Sequence, residues 1–197
     1  MKKMKEQPIL ELDGVAASEG IPPRSGRLMP GGHWLWTDLE DAARCERWAD
    51  IIQGMAEPFS GRVAFLGGDP ARARNRVGRV FSGTAFVSNL TIEENLFVVP
   101  AFESRLALRL AEERVRQILD RCGVRDICTE RPVALNAPDR LFWQWVRALS
   151  RPRDLFLFED AFTLPQERLS PLRGVLEEEI GRGAAFVGLS YFRGDSK

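Results

Sequence analysis

An α/β fold, with a mainly parallel sheet flanked by helices, is predicted by three features of this sequence. Asp154-Leu155-Phe156-Leu157-Phe158 is an apolar run too uniform to be half-exposed, so it reads as a buried parallel strand. Across a turn at Arg151-Pro152 it follows a helical run whose apolar positions, Leu141, Phe142, Trp145, Val146 and Leu149, are spaced three and four apart. Two carboxylates, Glu159 and Asp160, stand at the C-terminal end of the strand, where open α/β sheets place their sites.

The remaining elements follow in chain order. Ile9 to Val15 alternates enough for an edge strand, and Ser18 to Gly26 is a Pro/Gly/Ser-rich turn region. After Pro30-Gly31-Gly32, His33 to Thr37 reads as an apolar strand. Glu40, Asp41 and Glu46 suit the positive end of a helix dipole. A helix is therefore expected here, capped by Asp38 or Asp41, with Ala42, Cys45, Trp48, Ala49 and Ile52 on its buried face. Arg62 to Leu66 is a strand running into a Gly67-Gly68-Asp69-Pro70 turn, and Asn75 to Ser82 is another strand. Thr91 is placed to cap a helix, with Glu94 completing a capping box. Leu106 to Cys122 is an amphipathic helix closed by Gly123. Pro138 reads as a helix breaker in the loop before Leu141, and Trp143 and Trp145 as core filling or a contact surface. Val175 to Ile180 is a last helix and Gly183 to Ser190 a last apolar strand.

Composition narrows the chemistry. With 197 residues, 44% of them hydrophobic, the chain can bury one sizeable core. No apolar run approaches the roughly 20 residues that span a bilayer, and no signal-peptide core follows Met1-Lys2-Lys3, so a cytoplasmic chain is expected. Cys45, Cys122 and Cys128 give neither a disulfide framework nor a metal-ligand cluster. The formal net charge of zero offers nothing for nucleic acid. Lysine occurs only at Lys2, Lys3, Lys5 and Lys197, and histidine only at His33, so no internal lysine is available to hold a phosphate at a helix start.

The layout from Leu135 to Asp160 resembles the second half of an ATP-binding cassette (ABC) ATPase: signature loop, helix, and Walker B strand. LSGGQ is replaced by Leu135-Asn136-Ala137-Pro138-Asp139, and the Walker B Asp-Glu pair by Glu159-Asp160. Asn89-Leu90-Thr91-Ile92-Glu93-Glu94-Asn95-Leu96 resembles the family block that lies beside the groove for a transmembrane partner's coupling helix. The resemblance covers about Ile9 to Tyr191. It implies one ABC ATPase-like domain over 1–197, P-loop NTPase-like in kind, with a helical subdomain over 86–148 and, because the chain ends six residues after Tyr191, a truncated C-terminus.

The same resemblance implies that the catalytic roles are vacated. Counting back from Gly54 and Pro58-Phe59-Ser60-Gly61 lays the phosphate loop on Leu39 to Arg47, without a glycine. Cys45 then stands in place of the lysine and Glu46 in place of the Mg²⁺-binding hydroxyl. Ser82 replaces the Q-loop glutamine, Gln166 the D-loop aspartate and Tyr191 the switch histidine. No aromatic stands between Ile9 and Gly32 to stack on adenine. The expectation is a catalytically inactive ABC ATPase-like subunit holding no cofactor or metal, peripheral at the inner membrane. It would dock a membrane permease through Ser82, Phe86, Asn89, Leu90, Thr91, Glu94 and Asn95, or pair with an active ABC ATPase or a second copy of itself. The block around Asn89 resembles most the ATPases of MCE-type phospholipid transporters. Two alternatives stay open: a soluble regulatory or scaffold protein using the ABC fold without a transporter, and a nucleotide binder lacking hydrolysis.

Overall fold

The computed structural model describes residues 7–81, 86–104, 108–159, 164 and 166–191. The chain divides into two compact units: Met1–Val77 with Asp154–Asp160 and Ile180–Lys197, and Gly78–Arg153 with Ala161–Glu179. The stretch 86–148, expected as a helical subdomain, falls in the second.

In the first unit, β1 (Leu10–Ala16) lies between β2 (Arg24–Leu28) and β4 (Ser60–Phe65) in an antiparallel sheet. β1 is therefore central, not the edge strand its alternation suggests. The tail of the Pro/Gly/Ser-rich stretch extends as β2 and pairs with it, Leu10 opposite Leu28 and Leu12 opposite Gly26. Leu10, Leu12 and Val15 are buried, as one face of a pleated strand should be.

A second sheet has the order β3-β7-β6-β5, from β3 (His33–Leu39), β7 (Ala185–Tyr191), β6 (Leu155–Glu159) and β5 (Val77–Val80). β3 and β6 both run parallel to β7. Leu155, Phe156 and Leu157 are fully buried, and Phe156 stacks on Phe186 with ring centroids 5.0 Å apart. The uniform apolar run thus sits inside the sheet. Among the described residues β3 lies at its end; His33 to Thr37 alternate between exposed and half-buried, and Leu39 is buried.

α1 (Ala42–Ile52) buries Cys45, Trp48, Ala49, Ile51 and Ile52, and Trp48 meets the ring of Trp36 edge-on at 5.0 Å. Ala42 is only half-buried. After α1 the chain turns at Gly54, whose φ of +67° and the 2.4 Å approach of Ala71 N to a Cβ built there leave room for no side chain.

The second unit holds α2 (Ile92–Ser104), α3 (Leu108–Arg121) and α4 (Ala137–Leu149). Gly123, at φ +67°, ends α3 as expected, with Val124 N donating to Leu119 O at 2.9 Å. Pro138 does not break a loop. It occupies the first turn of α4, where its missing N–H costs nothing, and Asn136 is the cap. Trp143 and Trp145 are buried core. α5 (Gln166–Gly181) starts well before Val175.

Candidate functional site

The junction between β3 and α1 occupies the place where the resemblance puts a phosphate loop. β3 ends at Leu39, α1 begins at Ala42, and only Glu40 and Asp41 lie between. Asp41 caps α1, its carboxylate accepting from Arg44 N at 2.8 Å. Arg44 folds back to form an ion pair with Glu40 at 2.9 Å. On the last turn of β3, Asp38 is held by both its oxygens at 2.7 Å from Arg24 Nη2. That guanidinium lies 4.5 Å over the ring of Trp36. The hydrogen bond from Arg24 holds the Asp38 carboxyl below its ordinary range, against the raising effect of partial burial.

Beside this junction is a cavity of about 350 Å³, floored by Leu39 and Trp48 and walled by Ile21, Pro22 and Pro23. Its arginines are already engaged: Arg24 by Asp38, Arg44 by Glu40, and Arg47 by the carbonyls of Ala17 (3.2 Å) and Glu57 (2.7 Å). Cys45 faces the core with no exposed surface, and Glu46 is half-buried. A backbone cradle for phosphate needs several N–H groups to converge; here the first-turn donor is spent on the chain's own aspartate.

The parallel strands bring other expected residues to the same end of the sheet. Leu39 stands beside Tyr191 in register, and Glu159 beside Leu189. Glu159 is buried and Tyr191 half-buried. Ser82 and Asp160 lie outside the described residues.

The expected docking residues lie in the second unit. Thr91 and Glu94 form the capping box that their spacing predicts: Glu94 N donates to Thr91 Oγ1 at 3.1 Å, and Thr91 N to Glu94 Oε2 at 2.7 Å. Asn95 is fully buried. Its amide donates to the carbonyls of Val87 (3.1 Å), Leu90 (3.4 Å) and Thr91 (2.8 Å), while its oxygen accepts from Val87 N at 2.7 Å. Phe86 is buried beneath the Arg147 guanidinium, 4.6 Å from its centroid. Phe86 and Asn95 therefore hold the 87–91 loop from below, and Val87 and Asn89 present its surface.

Sequence reasoning missed one cluster. Arg147, Arg151 and Arg153 gather at the C-terminal end of α4, where burial lowers the pKa of each; Arg153, beside the other two, is pushed down to about 10. The signal was present in Arg-x-x-x-Arg-x-Arg across the end of the helix. The Leu135 to Asp139 segment is likewise tied into its own cap, Asp139 N donating to Asn136 Oδ1 at 2.8 Å and Asn136 Nδ2 to Asp139 Oδ2 at 2.9 Å. Among the described residues no group of acids, cysteines or histidine is arranged to hold a metal ion, and no helix is long and apolar enough to cross a membrane.

No family model matches the sequence. The chain is similar to a phosphonates import ATP-binding protein of Rhodopseudomonas palustris, 27% identical over 164 residues covering 76% of this chain and 57% of that protein. It is also similar to a ribose import ATP-binding protein of Burkholderia mallei, 32% identical over 195 residues covering 90% of this chain and 36% of that protein. The chain thus spans less than two thirds of the length of either. Among solved structures, the ATP-binding subunit of an ABC transporter superposes with a TM-score of 0.78 at 16% identity, covering 93% of this chain and 80% of that one. A dimeric ATP-binding cassette in a post-hydrolysis state, bound to ADP and phosphate, gives 0.74 at 16% identity, with 92% and 87% covered. The cbiO1 protein of Clostridium perfringens, part of the ABC transporter complex cbiONQ, gives 0.73 at 14% identity, with 95% and 80% covered.

Proposed function

We propose that this chain, which has the ABC ATPase fold and sequence likeness to ABC transporter ATP-binding subunits, serves a transport complex as a subunit that does not hydrolyse ATP. The observation that carries this reading is the two-residue passage from β3 to α1. A phosphate loop spans several residues so that its N–H groups can converge on the anion, and its lysine adds a point charge. Glu40 and Asp41 leave no such length, and Asp41 fills the helix start with a carboxylate.

Electrostatics point the same way. Asp41 puts its carboxylate at the positive end of the α1 dipole, where a phosphate would otherwise be favoured. Positioning and charge stabilisation make up nearly all of phosphoryl-transfer catalysis. Cys45, in the lysine's place, is turned into the core.

What the chain offers instead is shape. The 87–91 loop, held by Asn95 and by the Thr91–Glu94 box, is the surface we assign to a membrane permease, with an active ABC ATPase or a second copy as the other neighbour. Such a subunit would sit peripherally at the inner membrane. The wording of Asn89 to Leu96 supports the narrower reading of phospholipid transport of the MCE type.

Titration calorimetry with Mg-ATP tests the site, with no heat of binding expected up to millimolar nucleotide. Micromolar binding would overturn the reading, and turnover by the isolated chain would overturn it outright. Co-purification with a multi-spanning membrane protein tests the docking role. A chain recovered in the soluble fraction without one would favour the soluble scaffold instead.

A further inference from the structure

We propose that the cavity beside the start of α1 binds a small organic acid, its carboxylate held by Arg47 next to Arg44 and its apolar body lying on Trp48 and Leu39. Nothing in this depends on the function proposed above: titration with Mg-ATP decides that one, and the compounds named below decide this one. At about 350 Å³ the space is of the size that takes a small molecule, with an apolar floor and arginines of α1 at its side.

The charges around the cavity do not cancel. Arg24 has Asp38 at 2.7 Å and Arg44 has Glu40 at 2.9 Å, so two of the three lining arginines are matched by the two lining acids. Arg47 is the third. Among the described residues its partners are the carbonyl oxygens of Ala17 and Glu57, which fix the guanidinium without neutralising it. Three cations against two anions leave one positive charge over.

Arg44 and Arg47 stand three residues apart on α1, with Trp48 next on the same face. Neighbouring like charges on a helix face are unfavourable, and Glu40 pairs only with Arg44, through Nη2. The other terminal nitrogen of Arg44, Nη1, is buried without a hydrogen-bond partner, itself an unfavourable state for a donor. A carboxylate beside the two guanidiniums matches the spare charge, and a small turn of the Arg44 side chain brings Nη1 onto it. One spare charge suits a monoanion, and the apolar floor suits a ring or short hydrocarbon attached to it.

The wall at Ile21 to Pro23 is built beforehand. Ile21 N donates to Ser18 O at 3.3 Å across a turn in which Gly20 has φ +76°, and Pro22 and Pro23 follow with φ fixed by their rings. A wall this stiff loses little freedom when a ligand arrives.

Phenylacetate, its neutral amide phenylacetamide and the cation 2-phenylethylammonium are close in shape and differ in charge. In NMR titrations of the full chain, read at the Trp48 indole N–H and the Ile21 methyls, phenylacetate is expected to bind at about a millimolar or below and at least about tenfold tighter than the amide. Arg47→Gln should remove that preference, and Arg47→Lys should keep most of it. Ile21→Ser, at a half-buried wall position, should weaken acid and amide alike. The comparison of the three compounds uses the wild-type chain, so it decides the matter even where a variant fails to fold. No saturable shift up to about 10 mM phenylacetate, an amide or ammonium bound as tightly as the acid, or a preference that survives Arg47→Gln would each overturn the proposal.

Discussion

Two helix starts in this chain carry the same kind of cap and do opposite things. α1 begins two residues after β3, with Asp41 on Arg44 N and Arg44 drawn back to Glu40. α2 begins with Thr91 and Glu94 exchanging bonds, and beneath them Asn95 ties the preceding loop at four points. At α1 the Arg44 N–H is satisfied by the carboxylate of Asp41, so the chain's own acid occupies the helix start. At α2 the internal bonds are spent on holding a loop outward, so its surface stays presented. On the reading proposed above, one cap closes a helix start while the other presents a loop.

The largest effect should come from forcing the lysine back. Cys45→Lys puts a charge at a position with no solvent access, and its desolvation should cost about 3 kcal/mol or more without creating nucleotide binding. Urea denaturation and Mg-ATP titration of the variant check both halves. A stable variant that binds ATP would break the contrast, because it would show that the α1 start can still open.

Next comes Asn95→Ala, which strips the polar atoms that satisfy Val87, Leu90 and Thr91. A loss of about 2 to 3 kcal/mol is expected for a buried group with several partners. Hydrogen exchange should speed up at Val87 and through the 87–91 loop, while α1 keeps its protection. If exchange in the loop is unchanged, Asn95 is not what positions it.

The smallest effect is the pH dependence of the acidic junction. Because Asp38 has a lowered pKa in the folded chain, its contribution is present above the unfolded carboxylate value of about 3.9 and is lost as pH falls through the lower folded value. Its side chain is 68% exposed, so solvent screens the pair with Arg24. An NMR titration of Asp38 should show the depressed midpoint, and Arg24→Ala should return it toward the ordinary range.

The elements legible in the sequence were those whose pattern is self-contained. The strand read over Asp154 to Phe158 and found at Leu155–Glu159, the α3 stop at Gly123 and the Thr91–Glu94 box depend on neighbours within a few residues, and each forms. Pro138 misled because a proline in a first turn and one in a loop look alike until the cap at Asn136 is seen. β1 misled because alternation tells which face is buried, not how many strands lie alongside.

Sequence alone determined which residues are missing: no internal lysine and no glycine from Leu39 to Arg47, where the resemblance to ABC ATPases implies both. Tertiary structure decided where the remaining ones point. That Asp38 answers to Arg24 fourteen residues upstream, leaving Asp41 to cap α1, and that β1 lies between two strands are consequences of long-range pairing. Local propensity is a property of neighbouring residues in the chain, whereas ion-pair choice and sheet position depend on which distant segments the core brings together.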